Sequence, residues 1–154
     1  MVLAGKQTEG AEQAYFREHV EPLLGRAARH VGEADAALKR DLLSRARCLV
    51  FPVQWEEPFG MVMIEAMACG TPVVGLGRGA VPEVVLDGVT GSVRHEVGQL
   101  PIAIEEAGRL EPAAVRAYAL QHFDTLVMTE AYERVYQQVF ARIHDPGRPA
   151  GREG

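Results

Sequence analysis

Residues 57–74, Glu57-Pro58-Phe59-Gly60-Met61-Val62-Met63-Ile64-Glu65-Ala66-Met67-Ala68-Cys69-Gly70-Thr71-Pro72-Val73-Val74, read in succession as a loop, a helix and a strand. Met61, Val62, Met63, Ile64, Ala66, Met67 and Ala68 put apolar groups on every side of the helix, the pattern of a buried helix rather than an amphipathic surface one. Glu65 interrupts that run. A charge there is costly unless it is paired or faces a cleft where water or a ligand bonds it. Glu57, on the preceding loop, is a second carboxylate with seven residues between the two. This pair anchors the functional reading.

Upstream, residues 1–5 form a short apolar run ending in Gly5, a buried strand. From Glu9 to about Leu24, Ala11, Tyr15, His19 or Val20, and Leu23 or Leu24 recur at helical spacing, with Pro22 set to kink or end that helix. His30-Val31-Gly32 is a second brief strand, and Asp35 an N-cap for a helix carrying Leu38, Leu42, Leu43 and Ala46 on one face. Residues 48–51 are a third strand, stopped by Pro52, and residues 72–75 a fourth. Gly77, Gly79 and Pro82 punctuate the next turn, a short helix follows near 83–86, and residues 92–94 make a last strand. From there the chain reads as helices over 99–110, 112–123 and 126–144, the last with an apolar stripe broader than a surface helix needs. Apolar strands alternating with helices predict an α/β fold with a Rossmann-like parallel sheet and helices on both faces. Residues 1–144 form one domain in this reading. Residues 145–154, rich in Pro and Gly, form a disordered tail.

At 154 residues the chain is long enough for one domain with a real core. A net charge of −5 with no basic run argues against a nucleic-acid partner. No apolar stretch approaches the ~20 residues of a membrane span, and no targeting segment is evident. Cys48 and Cys69 lie in apolar elements and read as reduced thiols of a cytoplasmic protein.

In a parallel sheet, ligands bind beyond the carboxyl ends of the strands. Glu57 lies on such a loop, six residues after Phe51. A helix beginning near Gly60 puts Glu65 ~7.5 Å along its axis, so both carboxylates reach one elongated ligand. Carboxylates accept hydrogen bonds, and vicinal hydroxyls of a sugar or ribose suit them. The amides of Phe59, Gly60 and Met61 suit a phosphate or sugar oxygen, and Gly60 lets it come close. The plainer alternative makes Glu57 a helix cap and Glu65 the partner of a buried Arg. The five histidines show no ligand spacing. Trp55 could line the cleft, though an aromatic loop residue is more often packing; Arg78 could approach a phosphate, though such a residue more often marks a solvated turn; Ser44 and Ser92 lack a nucleophile-elbow context.

The stretch from residue 51 to 91 resembles the C-terminal nucleotide-sugar-binding domain of glycosyltransferases group 1, retaining enzymes of the two-Rossmann-domain GT-B fold. The resemblance is carried by Glu57-Pro58-Phe59-Gly60, then Glu65-Ala66-Met67-Ala68-Cys69-Gly70-Thr71-Pro72-Val73-Val74. Downstream, Gly79-Ala80-Val81-Pro82-Glu83-Val84-Val85 and Asp87-Gly88-Val89-Thr90-Gly91 continue it. Leu3-Ala4-Gly5-Lys6, His30-Val31-Gly32-Glu33 and Phe123, Tyr132 and Tyr136 fit the flanking elements. The resemblance implies transfer of a sugar from a nucleoside diphosphate to an acceptor hydroxyl. Glu57 would be the catalytic-site carboxylate holding donor-sugar hydroxyls, with the Phe59, Gly60 and Met61 backbone helping on sugar and phosphate. Glu65 would bond the ribose, and Val31, Gly32 and Glu33 would lie near the base. No metal and no other cofactor is implied; cationic side chains and helix N-termini stabilise the leaving diphosphate.

Measured against that family, the chain lacks the N-terminal Rossmann domain and the first strand and helix of the C-terminal domain, which carry the diphosphate-binding Arg and Lys. Residues 1–5 correspond to the second strand, so the central strand of a 3-2-1-4-5-6 sheet is wanting. The expectation is direct pairing of the second and fourth strands, or a neighbouring chain in the gap. An apolar patch on the terminal helix and self-association follow. The isolated chain is thus expected to be a donor-binding portion without catalytic competence. The alternatives are a non-catalytic nucleotide-sugar-binding module or remnant and, more remotely, a sugar-nucleotide epimerase.

Overall fold

The computed structural model describes residues 1–144, which fall into two compact units divided between Ala46 and Arg47. The tail assigned to residues 145–154 lies outside the described residues.

In the first unit, β1 (Val2–Leu3) pairs in parallel with β2 (Arg29–His30), Val2 opposite Arg29 and Leu3 opposite His30. Between them runs α1 (Gly10–Tyr15), opened by a capping box of Glu9 and Glu12. It continues as a wide π turn over Phe16–Val20 and a 3-10 turn over Glu21–Leu23, where Pro22 ends it as the sequence predicts. α2 (Ala36–Arg45) starts where Asp35 Oδ1 accepts the Leu38 amide at 2.8 Å, confirming that N-cap.

The second unit holds a three-stranded parallel sheet in the order β3 (Leu49–Phe51), β4 (Val73–Leu76), β5 (Gly91–Arg94). β4 is central and buried along its whole length. Side chains alternate across a strand, and Val74 and Leu76 form a core cluster with Leu100, Ala103 and Ala107 of α5 (Leu100–Ala107). α3 (Met61–Ala68) connects β3 to β4, and α4 (Val81–Val84) connects β4 to β5. The Gly70 amide donates to Met67 and the Thr71 amide to Ala66, a Schellman motif with Gly70 at φ +81°. α6 (Pro112–Phe123) packs on α3 and aims the Arg116 guanidinium at the Ala68 carbonyl, a cation at a helix C-terminus. α7 (Thr125–Ile143) buries none of its residues, and Leu126, Tyr136, Phe140 and Ile143 are each more than three-fifths exposed. Among the described residues no helix is long and apolar enough to cross a membrane.

The pairings among the described residues are all parallel, β1 with β2 and β3 with β4 and β5, and direct pairing of β1 with β3 across the wanting central strand, one of the two outcomes expected, is not among them. One expectation is corrected. α3 is not buried on all sides: Met63, Ala66 and Met67 are fully buried at helical spacing, while Met61 is 59% exposed. The apolar composition of its other face concealed this amphipathic placement.

Gly91, read from sequence as part of a turn, is the first residue of β5 and lies flat against the Val73 carbonyl, so that any Cβ would overlap that oxygen. Gly91→Ala is expected to lower stability by about 1–3 kcal/mol, as overpacking does. Urea unfolding followed by far-UV circular dichroism checks this, and an unchanged midpoint would contradict it.

Candidate functional site

The loop between β3 and α3 is shaped by Pro52 and Pro58, which withhold donors from the sheet, and by Gly60, whose φ of +70° admits no ordinary side chain without strain. Gly60 is the N-cap of α3 and is buried; a Cβ there would come within 2.6 Å of Met63 Cε. Its amide donates to Glu57 Oε1 at 3.2 Å. Glu57 Oε2 accepts the Trp55 indole N–H at 3.1 Å. Both carboxylate oxygens are thereby oriented, and each keeps acceptor capacity for a further donor.

The backbone of Glu57 is held as firmly. Its carbonyl accepts the Ala80 amide at 2.8 Å, and the Gly79 amide donates to Glu56 Oε2 at 2.6 Å. Arg78 Nη1 donates to the Gln54 carbonyl at 3.3 Å. Gly79, at φ +50°, sits so close that a Cβ would overlap the Glu57 carbonyl and come within 2.5 Å of its nitrogen. The turn after β4 is thus a brace for the loop after β3, both at the carboxyl edge of the sheet.

The helix-capping alternative for Glu57 is therefore true of one oxygen and leaves the residue free to do more. The three proposed backbone donors differ in circumstance. Gly60 gives its amide to Glu57, whereas the amides of Phe59 and Met61 find no acceptor among the described residues. Phe59 is 46% exposed. Glu65 is half-buried, one helical turn beyond Met61 and on the same face, about 6 Å along the axis.

In the first unit, Val31, Gly32 and Glu33 follow directly on β2. The Gly5 amide donates to Gly32 O at 2.8 Å, and Lys6 Nζ meets Glu33 Oε1 at 3.2 Å on an exposed surface. Gly32, at φ +71°, makes the turn. These residues lie at the carboxyl ends of two parallel strands, the edge where such sheets take ligands.

Sequence reasoning missed Glu56, Ala80 and the bracing use of Gly79 and Arg78. Residue pairs more than twenty apart leave no periodic signal. A hollow of about 350 Å³ lined by Pro82, Val85, Leu86, Asp87, Val93 and His95 contains none of the candidate residues.

The family model described as "Glycosyl transferases group 1" matches residues 1–107, and the chain belongs to that family. The D-inositol 3-phosphate glycosyltransferase of Mycobacterium sp. (strain KMS) is 42% identical over 83 residues, 53% of this chain and 19% of that protein. Its counterpart in Mycobacterium tuberculosis (strain F11) is 49% identical over 70 residues, 44% of this chain and 15% of that one. Among solved structures, the Anabaena protein HepE in complex with UDP-glucose aligns at 25% identity and TM-score 0.73, covering 89% of this chain and 40% of its own. Sucrose-phosphate synthase from Thermosynechococcus elongatus aligns at 28% and 0.75, covering 92% and 38%. The chain thus spans less than half the length of each.

Gly79→Ala tests the brace. The left-handed turn and the overlap with Glu57 together predict a loss of about 1–3 kcal/mol. The Trp55 fluorescence spectrum, read at the other side of the contact, is expected to shift in the folded variant. An unchanged spectrum and stability would contradict the brace.

Proposed function

We propose that this chain is the donor-binding portion of a retaining glycosyltransferase that moves a sugar from a nucleoside diphosphate to an acceptor hydroxyl. The observation that carries the reading is the fixed Glu57 carboxylate at the start of α3, with the Phe59 and Met61 amides beside it and Glu65 one turn on. Family membership and the UDP-glucose bound by the Anabaena relative support a nucleotide sugar as the ligand.

In this reading Glu57 is the catalytic-site carboxylate and accepts hydroxyls of the donor sugar. The amides of Phe59 and Met61, with the positive end of α3, take sugar or phosphate oxygens and stabilise charge as the diphosphate leaves. Gly60 contributes by close approach and by fixing Glu57, Glu65 accepts from the ribose hydroxyls, and Val31, Gly32 and Glu33 lie by the base. The chemistry uses no metal or other cofactor. Acceptor binding belongs to a further domain of the GT-B type, and this chain alone transfers no sugar. Self-association through the exposed apolar face of α7 is part of the same reading, and a monomer in sedimentation equilibrium would remove it.

Calorimetric titration with UDP-, GDP- and ADP-glucose and with the matching free diphosphates tests the core of the proposal. One base series should bind, and the glucose conjugate should bind more tightly than the diphosphate. Glu65→Ala should weaken both ligands about tenfold, the equivalent of one lost hydrogen bond at roughly 1.4 kcal/mol. Glu57→Ala should weaken the conjugate and spare the diphosphate. Binding of no nucleotide sugar would refute the donor site, and equal effects of both substitutions on the free diphosphate would refute the division of roles.

A further inference from the structure

Trp55 is the sole tryptophan of the chain, and it is 65% exposed. An indole is a large apolar body with one polar handle, and burial is where most of its stabilising value lies. Here most of the body stays in solvent, while the handle is committed: Nε1 donates to Glu57 Oε2 at 3.1 Å. The bond spans only two residues, so it orients the carboxylate without depending on distant packing. Its neighbour Glu56 works on the backbone of the same loop, accepting the Gly79 amide at 2.6 Å. Trp55 and Glu56 thus secure the two parts of Glu57 that matter for its aim, the side chain and the peptide.

We propose that Trp55 is a positioning and specificity-determining residue for the donor sugar. Its indole N–H fixes the Glu57 carboxylate, and its exposed ring face receives the apolar C–H face of the sugar whose hydroxyls Glu57 accepts. The inference rests on the donor-site reading and deepens it. The physical case is complementary. A sugar ring offers hydroxyls at its edge and C–H groups on its faces, and sites for such ligands combine a few placed polar groups with an aromatic wall. An acceptor carboxylate hydrogen-bonded to an exposed indole supplies both within one tripeptide, Trp55-Glu56-Glu57. A charged acceptor gripped by two donors, Trp55 Nε1–H and the Gly60 amide, is preorganised and loses less freedom when ligand binds.

The experiment uses the full chain and the nucleotide series that binds it. The quantity read is the sugar increment, the ratio of the dissociation constant of the free diphosphate to that of its glucose conjugate. Trp55→Phe keeps a ring and removes the N–H; Trp55→Ala removes both. The increment should fall about five- to tenfold in Trp55→Phe and further in Trp55→Ala, with the free diphosphate bound within about twofold of wild type. In a Glu57→Ala background Trp55→Phe should have no further effect, because the lost N–H then has no carboxylate to orient. A merely structural Trp55 would change both ligands alike and would do so in either background. The contact is also read without ligand, since the single indole N–H resonance should move in Glu57→Gln. An unmoved resonance, an undiminished increment in Trp55→Phe, or equal effects in both backgrounds would overturn the inference while leaving the donor site standing. Failure of the wild-type chain to bind any nucleotide sugar would instead overturn the donor-site reading.

Discussion

The peptide joining Glu56 to Glu57 and the turn at Gly79 are packed so tightly that there is no room for a methyl group between them. This contact sets the rest of the candidate site. It requires a left-handed residue at 79, which glycine supplies at little cost. It also brings the Gly79 and Ala80 amides onto Glu56 and Glu57, so loop donors that would otherwise need water are satisfied within the protein. Because β3 and β4 are adjacent and parallel, their following loops emerge side by side and can be locked in this way. Glu57 is left with a fixed backbone and a fixed carboxylate at the mouth of α3.

The elements that could be read from sequence were those announced by local chemistry. Asp35 caps α2, Pro112 opens α6, Pro22 ends the first helical segment, and the apolar run at 73–76 is the fully buried central strand. Two things were out of reach. The run from Met61 to Ala68 is so uniformly apolar that periodicity could not show which stripe is buried, and only packing singled out Met63, Ala66 and Met67. The brace at Gly79 joins residues with no sequence relation, so Arg78 read as a solvated turn when it ties Gln54 in place. Glu65 was visible as a charge where charge is expensive, and Glu57 as a second carboxylate on the loop ahead of it. The Trp55 bond to Glu57 was not, because an aromatic residue on a loop most often packs, and this one keeps most of its ring in solvent.

Family membership gives these details their setting. The chain aligns over about nine-tenths of its own length with the solved HepE and sucrose-phosphate synthase structures and over about two-fifths of theirs. Along α7, Leu126, Tyr136, Phe140 and Ile143 are left largely exposed, an apolar surface of the kind the proposed self-association would cover. In the donor-binding proposal, the acceptor oxygens of Glu57 and Glu65 and the amides at the start of α3 serve the nucleotide sugar.

The most direct measurement of the central claim is amide chemical-shift mapping of the full chain titrated with the glucose conjugate that binds it. The account predicts that, within 47–144, the largest shifts fall on the Trp55 indole and the amides of Phe59, Met61 and neighbours through Glu65. Saturating shifts centred instead on the hollow around Leu86 and His95, with residues 55–65 unmoved, would contradict it.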